Sequence, residues 1–75
     1  MSTVKPMTLK QARTKRKLTQ EELEEVSGVD QSIISRIERG ELRNPGIQTV
    51  VKLATALKVN PGTLVFGTVT EERAS

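Results

Sequence analysis

The chain has 75 residues, twelve Lys/Arg against nine Asp/Glu for a formal charge of +3, no Cys, His, Trp or Tyr, and Phe66 as its sole aromatic. That length fits one small domain, which buries about 60% of its unfolded surface. Without Cys there is no disulfide or thiolate, and without His as well the usual zinc ligands and general base are missing, which leaves little for metal, thiol or other enzyme chemistry; no enzyme activity, cofactor or small-molecule ligand is expected.

In chain order, residues 1–6 read as a flexible lead. Met1 to Met7 lacks the apolar core of a signal peptide. No apolar run approaches the ~20 residues that span a membrane, so a soluble, cytoplasmic protein is expected. Thr8 with Gln11 three residues on is a capping box and opens a first helix, about Leu9 to Lys17, with Leu9 and Ala12 facing inward. Lys5, Lys10, Arg13, Lys15, Arg16 and Lys17 give residues 1–17 a charge of +6 with no acid.

Thr19 with Glu22 is a second capping box and opens a second helix, Gln20 to Ser27, whose early glutamates suit the positive end of the helix dipole. Glu21, Glu22, Glu24 and Glu25 give this segment −4. A basic segment beside an acidic one points to a polarised surface and an anionic partner, or to two solvated helix faces that differ in sign. Gly28 suits a left-handed cap, and Asp30 caps a third helix, Gln31 to Arg39, closed by Gly40. Ile34 and Ile37 face inward there, with Ile33 beside them. Gln31, Ser32, Ser35, Arg36 and Arg39 remain outside.

Asn44-Pro45-Gly46 marks a loop. A fourth helix, about Ile47 to Lys58, carries the stripe Ile47, Val50, Val51, Ala54 and Leu57, flanked by Leu53. Asn60 as cap and Pro61 at the first helical position start a short fifth helix through Phe66. Thr63 to Val69 is the one candidate for a strand and is too short to outweigh five helices. Residues 68–75 read as a flexible tail. The expected class is all-α, with a core of Leu9, Ala12, Leu18, Leu23, Val29, Ile34, Ile37, Val50, Leu53, Ala54, Leu57, Leu64 and Phe66.

The turn Ser27-Gly28-Val29 is short enough to force a large crossing angle between the second and third helices, a helix-turn-helix arrangement. The third helix then stands proud, with a polar outer face and the right diameter for the major groove of B-DNA. Leu18-Thr19-Gln20-Glu21-Glu22-Leu23, Ser27-Gly28-Val29-Asp30 and Ile34-Ser35-Arg36-Ile37-Glu38-Arg39-Gly40 resemble the Xre family, the helix-turn-helix domains of the lambda-repressor and Cro type. Asn44-Pro45, Leu53-Ala54, Ala56-Leu57, Val59-Asn60 and Leu64 extend the resemblance, which covers about residues 7–67. It implies a five-helix fold in that span and a transcriptional regulator bound, as a homodimer, to double-stranded operator DNA. It implies a phosphate contact from Gln20, base-edge contacts from Gln31, Ser32 and Arg36 with Ser35 nearby, backbone contacts from Arg43 and Asn44, and an ion pair between Arg13 and Glu38.

Side-chain chemistry fits these roles. Gln31 can pair with adenine and Arg36 with guanine, each through two hydrogen bonds. Arg39, Arg43 and the basic first helix can meet phosphates. The plain alternatives are a solvated first turn at Gln31 and Ser32, a carboxylate partner for Arg36, and a solvated face at Lys15, Arg16 and Lys17. Two positions depart from the family pattern. Glu24 stands where a small residue is usual and must snorkel or find a partner. Gly46 replaces the usual Ser cap. Small domains of this family also serve as antitoxins, protein-binding adaptors or restriction-modification controllers. The end of the fifth helix, Val65 and Phe66 with Val69, is a candidate patch for self-association or for such a partner.

Overall fold

The computed structural model describes residues 6–66. The expected tail at 68–75, Val69 and all of the expected lead but Pro6 lie outside them. Four α-helices are present among the described residues: α1 (Leu9–Lys15), α2 (Gln20–Ser27), α3 (Gln31–Glu38) and α4 (Ile47–Leu57). None is long and apolar enough to cross a membrane.

Local chemistry sets the starts of the helices. Thr8 and Thr19 each accept a hydrogen bond from the backbone N–H three residues on, at 3.1 and 3.0 Å, while Gln11 and Glu22 reach back to the cap N–H. These reciprocal boxes satisfy donors that the first turn otherwise leaves free. Gly46 starts α4 with no side-chain bond. Helix α2 ends at Ser27 as expected, whereas α1, α3 and α4 end one or two residues early, because the residues expected to finish them act in the caps instead. Lys17 and Lys58 adopt left-handed φ values of 60° and 58°. In each case the following N–H turns back to a helix carbonyl, Leu18 to Arg13 and Val59 to Ala54.

The five-helix, all-α expectation is corrected beyond α4. Asn60 accepts from the Gly62 N–H at 2.9 Å and Pro61 opens a turn, but that turn is a 3-10 helix of three residues, Pro61–Thr63. Gly62, Thr63 and the β-branched Val65 are poor helix formers. The chain instead extends as β2 (Leu64–Val65) and pairs in parallel with β1 (Met7–Thr8), with Met7 opposite Leu64 and Thr8 opposite Val65. Extension leaves Leu64 buried.

Leu23, Ile34, Leu53 and Leu57 are fully buried, with Leu9, Ala12, Val29, Ile37, Ala54 and Leu64 around them. Leu18 and Phe66 are half-buried against this core rather than inside it. The α4 stripe is corrected as well. Leu53, Ala54 and Leu57 are buried and Val50 half-buried, but Ile47 is 75% and Val51 45% exposed. At 3.6 residues per turn, positions 50, 53, 54 and 57 form one face, and Val51 sits roughly 100° round from its centre. The apolar arc of α4 is wider than the surface its neighbours cover. Exposed apolar surface therefore lies at Val26, Ile47 and Val51, not at Val65 and Phe66, which are half-buried.

Candidate functional site

Helices α2 and α3 are joined by Gly28, Val29 and Asp30. Gly28 has φ 78°, and its N–H bonds to Glu24 at 2.8 Å, which closes α2 in a left-handed cap. Val29 is buried between the helices, its N–H donating to Ser27 Oγ at 3.0 Å. Asp30 then starts α3: its Oδ1 accepts from both the Ser32 N–H and the Ser32 hydroxyl, each at 2.8 Å. The bond from the Ser32 N–H, seconded by the hydroxyl, holds the Asp30 carboxyl below its ordinary range. The first turn of α3 is thus fixed in direction and keeps a negative charge at its base.

On α3, Ile34 and Ile37 are buried on the inner side. Gln31, Ser32, Ser35, Arg36 and Arg39 fall within about 140° of arc on the other side. The structure therefore brings the four residues expected to read bases onto one face. Gln31 and Ser35 are half-buried, Ser32 and Arg36 exposed. Among the described residues the Arg36 guanidinium has no hydrogen-bonding partner. Arg43 and Asn44 are exposed in the loop that follows.

At the edge of this face a part-buried ionic cluster ties three elements together. Arg13 of α1 grips Glu38 of α3 with two bonds, Nε to Oε2 at 2.7 Å and Nη2 to Oε1 at 2.9 Å. Its Nη1 donates to the Leu18 carbonyl at 2.7 Å. The two side chains are 12% and 5% exposed. Burial alone would push Glu38 up. The bonds from Arg13 and Gln20, with the fields of Arg13 and Lys10, outweigh it and hold the carboxyl below its ordinary value of 4.5. Gln20, expected at a phosphate, donates Nε2 to Glu38 Oε1 at 3.0 Å. One of its two amide N–H groups is thereby committed, while the other has no partner among the described residues and stands at the α2 N-terminus, where backbone donors favour an anion.

Three further contacts escaped the sequence. Arg16, placed there on a solvated or phosphate-facing surface, donates Nε to the Leu57 carbonyl at 3.0 Å and ties α1 to the end of α4. Arg39 donates to Glu41 through Nε and Nη2, both at 3.0 Å. Its Nη1 donates to Ser35 Oγ at 2.6 Å. The one available signal was the Arg-Gly-Glu order at 39–41, which sets opposite charges on either side of a helix-ending glycine. Glu24 is half-buried, and its carboxylate has no hydrogen-bonding partner among the described residues.

A family profile described as helix-turn-helix matches residues 9–64. An uncharacterized HTH-type transcriptional regulator of Sinorhizobium fredii is 47% identical over 56 residues, which are 75% of this chain and 71% of that protein. The crystal structure of the restriction-modification controller protein C.AhdI from Aeromonas hydrophila superposes with a TM-score of 0.68. The identity is 42%, over 73% of this chain and 82% of that one.

Proposed function

The chain belongs to the Xre-type helix-turn-helix family of DNA-binding transcriptional regulators, and on that premise we propose that it binds a specific operator as a homodimer, with α3 in the major groove. The outer face of α3 carries this reading: Gln31, Ser32, Ser35 and Arg36 stand together on it, and the Arg36 guanidinium is free among the described residues to pair with a guanine. Arg39, Arg43 and Asn44, with the other amide N–H of Gln20, hold the phosphate backbone and set the register without reading sequence. Residues 7–67 form the DNA-binding unit, flanked by a lead at 1–6 and a tail at 68–75, and the working compartment is the cytoplasm. The apolar surface left uncovered at Ile47 and Val51 supports self-association. Two copies place their α3 helices in successive major grooves, with half-sites about 10 base pairs apart, centre to centre.

The test is selection of bound sequences from randomised duplex DNA. It returns a palindromic consensus with that spacing. Recovery of DNA with no consensus overturns the sequence-reading role.

One regulatory setting has specific support. The likeness to C.AhdI favours control of restriction-modification genes. A selected operator that lies upstream of a linked methyltransferase or endonuclease gene supports that setting, and an operator elsewhere in the genome opposes it.

A further inference from the structure

Arg39 differs from Arg36 on the same face in that its guanidinium is occupied. Its Nε and Nη2 lie against the two oxygens of Glu41, both at 3.0 Å, in the two-point grip that arginine also uses on a phosphate. Its Nη1 holds the Ser35 hydroxyl at 2.6 Å. The backbone fixes Glu41 in this place. Gly40 takes φ 78°, its N–H bonds to the Ile37 carbonyl at 3.0 Å, and the Glu41 N–H bonds to the Arg36 carbonyl at 2.8 Å. This pair of bonds is the Schellman closure of a helix, and it folds the residue after the glycine back over the last turn. The Glu41 carboxylate also lies in the field of Arg36. The Arg39 and Glu41 side chains are 56% and 53% exposed, so an incoming phosphate reaches the pair from solvent.

We propose that Glu41 is an internal competitor for DNA phosphate: it occupies the Arg39 fork in the free protein, and the DNA backbone must displace it. The inference rests on the assignment of Arg39 to the phosphate backbone above. Glu41 then lowers the electrostatic part of binding, the part that all sequences share. Transfer of Arg39 from Glu41 to a phosphate also draws its Nη1 from Ser35, which frees that hydroxyl on the base-reading face. Phosphate capture at the end of α3 and exposure of a base-reading group become one event.

Fluorescence anisotropy on a labelled duplex of arbitrary sequence, with the full chain, tests this between about 50 and 200 mM salt. Glu41→Gln keeps the backbone bonds of the turn and removes the charge. It binds about two- to fivefold tighter at the low-salt end, and its log K falls more steeply with log salt, by up to about 0.9. In an Arg39→Ala background the same change gains little. Glu25→Gln, an equal change of charge at an exposed position of α2, also gains little. The proposal is overturned if Glu41→Gln binds no tighter, or if its gain persists without Arg39, which would make the effect one of net charge. A wild-type chain that binds no duplex at low salt overturns the DNA-binding reading itself. Wild-type binding with Glu41→Gln unchanged overturns the competitor alone.

Discussion

Glu38 does two jobs with one carboxylate. It neutralises the half-buried Arg13 and orients the amide of Gln20, so it links the stability of the domain to the geometry of its outer surface. Removing one partner of a part-buried pair leaves the other charge poorly compensated, and Glu38→Ala is expected to destabilise the fold by about 1 to 3 kcal/mol in chemical denaturation. The pair also sets a pH dependence. The folded-state pKa of Glu38 is depressed. Its contribution is therefore fully present above the unfolded value, near 4.5, and is lost as pH falls through the lower folded value. Thermal melts from neutral to acid pH should show stability falling once pH drops below about 4.5, and the Glu38→Gln variant should show a weaker fall. An equal fall in both would place the acid sensitivity elsewhere. Arg43→Ala should weaken binding evenly across sequences and reduce the salt slope by about one, whereas a change in base preference would contradict its backbone role.

At the scale of elements, the hinge between α2 and α3 depends on one backbone angle. A Cβ built on Gly28 meets nothing within 4 Å, so the demand for glycine is conformational rather than steric. With φ at 78°, Gly28→Ala should cost about 1 to 2 kcal/mol of stability. A variant as stable as the wild type would show that the turn can take another path. Helices α1 to α4 and their starts were legible in the sequence because each start has a local cause: two capping boxes, the Asp30 cap and the loop before Gly46. The Arg13–Glu38 contact spans 25 residues and was legible through family resemblance alone, since no local rule pairs residues so far apart. The strand at Leu64 and Val65 falls within Thr63 to Val69, the one strand candidate, which was set aside as too short; what was not legible is its partner. Pairing with Met7 and Thr8 is a parallel contact between the two ends of the domain, and no periodicity within Pro61 to Phe66 announces it. The exposure of Ile47 and Val51 was hidden for a related reason: an apolar stripe shows which residues share a side of a helix, not how far its neighbours reach along it.

The described domain is closed where its two ends meet. β1 and β2 join the first described residues to the last, and Arg16 fastens α1 to the C-terminal carbonyl of α4. Inside that frame α3 is held from behind by Ile34 and Ile37 and at its edge by Glu38, while Ser32, Arg36 and Arg39 on its other side are exposed among the described residues. Its arginines there can meet a ligand without unfolding anything. Binding two half-sites in register also needs two copies. Light scattering at tens of micromolar should give twice the chain mass of 8.3 kDa. A monomer at that concentration would contradict the two-half-site form of the proposal. Base reading by α3 is tested most directly by binding-site selection run in parallel on the wild type and Arg36→Ala. The α3 face predicts that the wild type yields a consensus and that the variant keeps its spacing but loses preference at one base pair in each half-site. An unchanged consensus in the variant, or none in the wild type, would contradict it.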